Sequence, residues 1–312
     1  MLTKFWDKLV EELAGRWAGQ IIGPALAFWG GGLLAWAWSV SFDWQIVTGW
    51  IASANTPTAY VLLAFCGLLI LTASSALVER LQLPVLRVLE GYWPRPLHWL
   101  QIVMARRKRK RVDKLEERWQ ALAQIPSEKR TPWQQAEFVR LDARLATFPL
   151  DPRRTMPTRL GNIMRAAEDH AYVRYGLSAD VCWPRLWLAL PQETQETLSH
   201  ARQKLDTAVH LFIWGLLFAV WAVWAWWAIV VALITVVVAY VSTLQAAAVY
   251  GELLRSVFDL YRFDLYEQLK WPLPETVGSE IAAGKRLTEY LFRGTSAEQI
   301  AFEHGEEERN DT

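Results

Sequence analysis

The sequence predicts an all-α integral membrane protein, with four transmembrane helices and a helical cytoplasmic domain between the second and third. Three observations carry this expectation. Charge is absent from three long runs: 26 residues between Arg16 and Asp43, 35 between Asp43 and Glu79, and 45 between Asp206 and Glu252. A hydrocarbon core about 30 Å thick is crossed by roughly 20 apolar residues in a helix, and these runs supply such stretches repeatedly. Basic residues fall on one side of the resulting topology, since 3 Lys or Arg precede the first span, 23 lie between Glu79 and Thr207, and 7 follow the fourth span. That bias puts both termini and the middle domain in the cytoplasm. A three-span alternative would export the 7 basic residues of the tail, which disfavours it. The third observation is the cluster Trp221, Trp224, Trp226 and Trp227, which has the character of an interfacial aromatic belt. Total charge is balanced, 33 Lys plus Arg against 32 Asp plus Glu, and gives no whole-molecule attraction to nucleic acid.

Residues 1–18 open the chain as an amphipathic interfacial helix. Leu2, Phe5, Trp6, Leu9, Leu13 and Trp17 recur at three- and four-residue steps among Lys4, Lys8, Glu11 and Glu12, as in a helix lying in the headgroup plane. A first transmembrane hairpin occupies 19–78, with spans at about 20–40 and 58–78. Its first apolar run exceeds a signal-peptide core of about 7–15 residues and a second span follows it, so it reads as an uncleaved anchor. Gly15, Gly19, Gly23, Ala27, Gly31, Ala35 and Ser39 recur at every fourth position. Such a stripe lets another backbone approach, either inside one bundle or between copies in an oligomer. Pro24 and the run Gly30, Gly31 and Gly32 make this helix bendable.

The cytoplasmic helical domain is expected over 79–207. Leu81–Met104 is apolar but carries Pro84, Pro94 and Pro96, and reads as an interfacial elbow. It ends in Arg106, Arg107, Lys108, Arg109, Lys110 and Arg111. Cations just cytoplasmic of a membrane segment favour anionic lipid, at about 1 kcal/mol each near the surface, and no groove-reading or base-stacking motif accompanies them. Val112, Leu115, Trp119 and Leu122 form one stripe, and Phe138, Leu141, Leu145 and Phe148 a second. Between them Pro126 and Thr131-Pro132-Trp133-Gln134 supply a stop and a capping box, so the two stripes describe a helical hairpin filling its own core. Pro149–Pro157 is a basic, proline-rich linker. Gly161-Asn162 is expected to open a short helix that Gly176 closes, and Trp183-Pro184 to start another that Pro191 ends.

The second transmembrane hairpin, 208–250, comes from the longest uncharged run. As one helix its 45 residues would extend about 67 Å, roughly twice the hydrocarbon thickness, so a turn is placed near Trp226 and Trp227. A cytoplasmic helical extension follows over 251–301, where Leu253, Val257, Leu260 and Leu265 keep helical spacing, and 302–312 is an acidic tail expected to be disordered.

The stretch TRLGNIMRAAED, followed by YGL and CWPRLW, resembles a segment of uncharacterised bacterial polytopic membrane proteins. The resemblance covers Pro157–Pro191 and rests on Leu160, Gly161, Asn162, Arg165, Glu168, Tyr175, Gly176, Trp183, Pro184 and Arg185. It implies an origin in the bacterial inner membrane and brings no activity with it.

Chemistry is sparse. The sequence contains no phosphate-loop, dinucleotide, zinc-protease, serine-hydrolase or CxxC motif, so no catalytic residue, metal or cofactor is expected. Cys66 and Cys182 are expected to stay unpaired. Glu168, Asp169 and His170 are consecutive on a helix and point in different directions, which reads as a solvated face. The spans hold no Asp, Glu, Lys or Arg, which argues against ion-coupled transport but not against a passive pore. An enzyme acting on lipid-linked substrates would use Arg153, Arg154, Arg159, Asn162, Arg165 and Arg185 as an anionic-ligand site, though no nucleophile or base accompanies them. The expected role is a non-enzymatic scaffold or signal-receiving module working through the cytoplasmic domain. The alternative is an oligomeric channel or membrane-disrupting effector gated by that domain. Expected partners are membrane lipids and either a second copy or another protein; nucleic acid is not expected.

Overall fold

A computed structural model of the chain describes residues 23–40, 49 and 56–294. Among the described residues the secondary structure is helical, with no strand. The helices are α1 (Gly23–Ser39), α2 (Pro57–Glu90), α3 (His98–Ala123), α4 (Pro132–Leu145), α5 (Arg159–Tyr175), α6 (Ala179–Ala189), α7 (Gln192–Phe218), α8 (Trp227–Gln268) and α9 (Val277–Arg293). Three helical stretches among the described residues, within 58–123, 192–223 and 227–268, are long and apolar enough to cross a membrane. The expected first span is described over the 17 residues of α1. The amphipathic 1–18 segment, the loop after the first span and the acidic tail 302–312 lie outside the described residues.

The chain divides into two compact units, one of residues 1–86 and 204–243, the other of 87–203 and 244–312. In the first, α1 packs on the end of α7 and the short 3₁₀ turn Ala219–Val223. Phe28 lies 5.0 Å from the ring of Trp221 and 5.3 Å from that of Trp214. Indole N–H groups in apolar surroundings need acceptors, and these find them: Trp221 Nε1 donates to the Phe28 carbonyl at 3.1 Å, and Trp29 Nε1 to Ser74 Oγ at 3.3 Å. The turn into α8 falls at Trp224–Trp226, where α7 tightens into 3₁₀ geometry and Trp224 and Ala225 both donate to the Trp221 carbonyl. The corner needs neither Gly nor Pro. Val61, Leu62, Leu233 and Ile234 are each more than half exposed, a surface suited to lipid rather than water.

The second unit has a helical core in which Leu186, Leu198, Phe258, Leu265 and Leu287 are buried. Its α3–α4 hairpin follows the expected stripes. Trp119 stacks on Phe138 at 5.5 Å, Leu122 and Leu141 are buried, and Thr131 and Gln134 form the reciprocal capping box. Arg130 covers the Phe138 ring at 4.1 Å.

Three local expectations need correction. Pro84 does not break the chain, because α2 runs through it to Glu90. A proline removes one backbone donor, and a long apolar helix absorbs that loss. The break comes at Gly91, whose φ of +103° and the bond from Tyr92 N–H to the Arg87 carbonyl end the helix. The basic run lies inside α3. Secondly, α5 is capped by Thr158 and not by Asn162: the Thr158 hydroxyl accepts from Gly161 N–H at 3.0 Å and donates to the Glu90 carbonyl at 2.7 Å. Thirdly, Pro184 lies inside α6, which opens five residues earlier at Ala179. Gly176 does close α5 as expected, with φ +74°.

Candidate functional site

In the second unit a cleft of about 370 Å³ is lined by the α3–α4 hairpin, the proline-rich linker, α5 and α8. Val112, Leu145, Phe148 and Pro149 give it an apolar wall; Asp169, His170 and Arg255 give it a polar one. Each wall has a sequence cause. The hairpin stripes turn inward, Pro149 and Pro152 fix the path of the linker, and the small residues Ala166 and Ala167 let α5 lie close to α8, where Gly251 faces the Ala167 methyl.

Side chains around this cavity are incompletely matched. Asp169 is 3% exposed; its Oδ1 meets Arg154 at 2.8 Å, and Oδ2 has no hydrogen-bond partner. Arg255 donates from one terminal nitrogen to the Ala146 carbonyl at 2.8 Å and pairs Glu252 at 3.4 Å, leaving Nε buried and unmatched. Trp119 Nε1 is likewise buried without an acceptor. Buried polar groups are nearly always paired, at a cost of about 1–3 kcal/mol when they are not. Three of the five such atoms among the described residues belong to residues that wall this one cavity.

The Glu168–Asp169–His170 triplet is thus not a solvated face. Its members do diverge, as consecutive helical residues must, but each meets a different partner. His170 Nε2 bonds Asp259 Oδ1 at 2.8 Å, and the Tyr175 hydroxyl donates to the same oxygen at 2.6 Å. Burial works to raise the Asp259 pKa, and those two hydrogen bonds outweigh it, so the group titrates below its usual range. Burial and the bond to Asp259 push the Tyr175 phenol up to about 12. Glu168 is pushed up to about 7 by burial, against the pull of Arg165 at 3.4 Å. Asp169 is raised by burial despite Arg154.

Among the six residues considered as an anionic-ligand site, Arg154 and Arg165 both act on Asp169, and several are engaged with partners inside the protein. Asn162, 1% exposed, is structural: its amide accepts from Met156 N–H and donates to the Met156 and Thr158 carbonyls at 2.6–2.9 Å. Arg154 serves Asp169, Arg165 serves Glu168 and the Tyr92 hydroxyl, and Arg185 bonds the Val181 carbonyl of its own helix. Arg153 is exposed on the 3₁₀ turn Pro152–Arg154. Arg159 instead lies near the basic run: burial, then Arg111 and Arg159, lower the Lys108 ammonium pKa. Of that run Arg106, Arg107, Arg109, Lys110 and Arg111 are exposed and Lys108 is half-buried.

On α1 the four-step stripe and the packed line are different lines. The buried positions Ala25, Gly32 and Ala35 follow steps of seven and three, and cross the stripe only at Ala35. A four-residue step advances about 40° around a helix, so the stripe winds off any one partner. Ala27 is exposed and Gly23 half-buried, while a methyl on Gly31 would strike the Phe218 ring. Gly15 and Gly19 lie outside the described residues. Two threonines in the spans bond back to their own helices, Thr72 to the Leu68 and Leu69 carbonyls and Thr243 to the Ala239 carbonyl, whereas Ser74 also accepts from Trp29 of α1.

Sequence reasoning did not single out Trp119, Asp169, His170 and Arg255 as a set, since they come from three helices up to 136 positions apart in the numbering. A search of family models, of curated proteins and of solved structures returned no match to this chain.

Proposed function

We propose that this is a four-span protein of the bacterial inner membrane that receives a signal through its helical unit, with that unit and both termini in the cytoplasm, and acts as a non-enzymatic scaffold passing the signal on. The observation that carries the reading is the cavity of about 370 Å³ walled by three residues with unmatched buried polar atoms, a size at the small end of ligand pockets. Evolution tolerates such atoms where a ligand completes them or a site needs them. The distribution of basic residues supports the orientation. The alternative of a gated channel gains no support from Thr72 and Thr243, which bond back to their own helices, or from Ser74, which is engaged with Trp29.

The test uses detergent-solubilised full chain and the small-molecule fraction of a bacterial extract. The melting midpoint is expected to rise with the extract for the wild type, and to stay unmoved for Ala146→Trp, a substitution at an exposed cavity-wall position. A rise in both proteins, or in neither, would remove the cavity as the receiving site.

A further inference from the structure

We propose that the first half of α3 docks obliquely on an anionic phospholipid surface, with Trp99, Ile102 and Val103 entering the boundary between headgroups and acyl chains and Arg106, Arg107 and Lys110 meeting the lipid phosphates. Docking of this kind goes beyond the receiving role and is independent of what the cleft holds. It requires only that the apolar stretches lie in a bilayer. Composition alone points the basic run toward lipid; the fold adds which of its members can reach it and which apolar side chains go with them.

Helical spacing sorts the residues. Trp99, Ile102, Val103, Arg106, Arg107 and Lys110 recur at three- and four-residue steps and so share one side of α3, and all six are exposed. The other side is occupied by the hairpin, where Val112 and Leu122 are buried and Trp119 stacks on Phe138. Along the exposed side the chemistry changes in order. It is apolar from Trp99 to Val103, cationic from Arg106 to Lys110, and then carries Asp113 and Glu117, both exposed. That order suits a helix tilted into a bilayer surface, with rings and aliphatic groups deepest, long cationic side chains at the level of the phosphates, and carboxylates out in water.

Charge and exposure together identify the partner. Arg118 pairs with Glu137, Arg154 with Asp169 and Arg262 with Glu280, whereas Arg106, Arg107 and Lys110 make no ion pair among the described residues. Arg111 and Arg159 add to burial in lowering the pKa of the half-buried Lys108, so positive charge accumulates at this level of α3. An anionic surface supplies the counter-charge, favouring the docked state about fivefold for each cation. Exposed apolar side chains also lead into the strip: Leu83, Val88, Tyr92 and Leu97 precede Trp99, itself 64% exposed. Only residues 91–97 separate α3 from α2, the helix that holds the expected second span. A nucleic acid would satisfy the cations and leave Trp99, Ile102 and Val103 in water; a bilayer surface accepts both parts of the strip.

The experiment places the full chain, with Cys66→Ser and Val103→Cys, in lipid nanodiscs after labelling the new thiol with a polarity-sensitive fluorophore; Cys182 is buried. The discs contain phosphatidylcholine alone, or with about one phosphatidylglycerol in three lipids. A nanodisc offers both faces, so the result does not depend on orientation. With phosphatidylglycerol the label is expected to emit as in an apolar medium and to be quenched by spin-labelled lipid. It should return to water-like emission without phosphatidylglycerol, or in about 1 M salt, where screening acts within about 3 Å. The same label at Val139→Cys, exposed on α4, should read as water throughout. Replacing Arg106, Arg107 and Lys110 by Gln together is expected to lower the docked-to-free ratio about hundredfold, and replacing Lys129, Arg140 and Arg144, exposed elsewhere on the hairpin, to leave it unchanged. Should the strip variant misfold, the salt series on the unaltered cations decides alone. Equal emission with and without phosphatidylglycerol, or a strip variant that docks as well as its parent, would overturn the proposal. Binding of an RNA oligomer that the strip variant loses, with the Val103→Cys label indifferent to lipid charge, would assign the strip to nucleic acid instead. Stabilisation by the extract reads the cleft separately, so either proposal can fail while the other stands.

Discussion

Glu168 shows how one buried side chain ties stability to pH. Its carboxyl titrates at about 7, lifted from 4.5 mainly by burial. A group whose folded pKa is raised contributes stability that is full below the unfolded pKa and lost as pH rises through the folded one. The protein therefore loses stability at this site between about pH 4.5 and pH 7. Glu168→Gln, which cannot ionise, should match the wild type at pH 5 and exceed it at pH 8. We expect a gain of about 1–2 kcal/mol at pH 8, discounted from the full linkage value because a third of the side chain meets solvent. Melting midpoints at the two pH values check this, and an equal difference at both would show that ionisation is not the cost. The neighbouring Asp169 marks the limit of reading residues from sequence. Nothing in the letters Glu-Asp-His distinguishes a solvated face from a buried one; the difference lies in Arg154 and Asp259, which the fold brings from 15 and 89 positions away.

At the scale of elements, close approach is what fixes the second unit, and glycines permit it. A methyl on Gly161 would collide with the Glu90 carbonyl, at the point where the Thr158 hydroxyl also bonds that oxygen. Gly161→Ala should cost about 2–3 kcal/mol, as overpacking of a tight site does. Gly30 is the contrasting case, with open space around it inside α1, and Gly30→Ala should be neutral or stabilising by up to about 1 kcal/mol because alanine favours the helix. Chemical denaturation of both variants measures the contrast, and similar losses would mean that the contact at Glu90 is not what limits residue size. Elements with local codes were legible. The Thr131–Gln134 capping box and the Gly176 cap follow from signals within a few residues, and the corner expected near Trp226 and Trp227 came from the length of its uncharged run. Prolines misled where tertiary surroundings override them: Pro84 and Pro184 both sit inside helices, and the α5 cap moved to Thr158 because that hydroxyl has a second partner 68 positions away.

For the whole molecule, apolar length was the strongest signal, and three stretches long and apolar enough to span are present among the described residues. The cavity was not legible, because it is made by side chains that meet only after α3, α5 and α8 have packed. The proposed orientation rests on the counts of Lys and Arg, and it decides whether the cavity would sample the cytoplasm. Cysteine labelling in intact spheroplasts tests that directly, in a Cys66→Ser background, since Cys182 is buried. Trp226→Cys, at the exposed corner before α8, should react with a membrane-impermeant maleimide from outside, and Arg153→Cys only after the membrane is permeabilised. Labelling of Arg153→Cys in sealed cells, with Trp226→Cys protected, would contradict a cytoplasmic receiving unit.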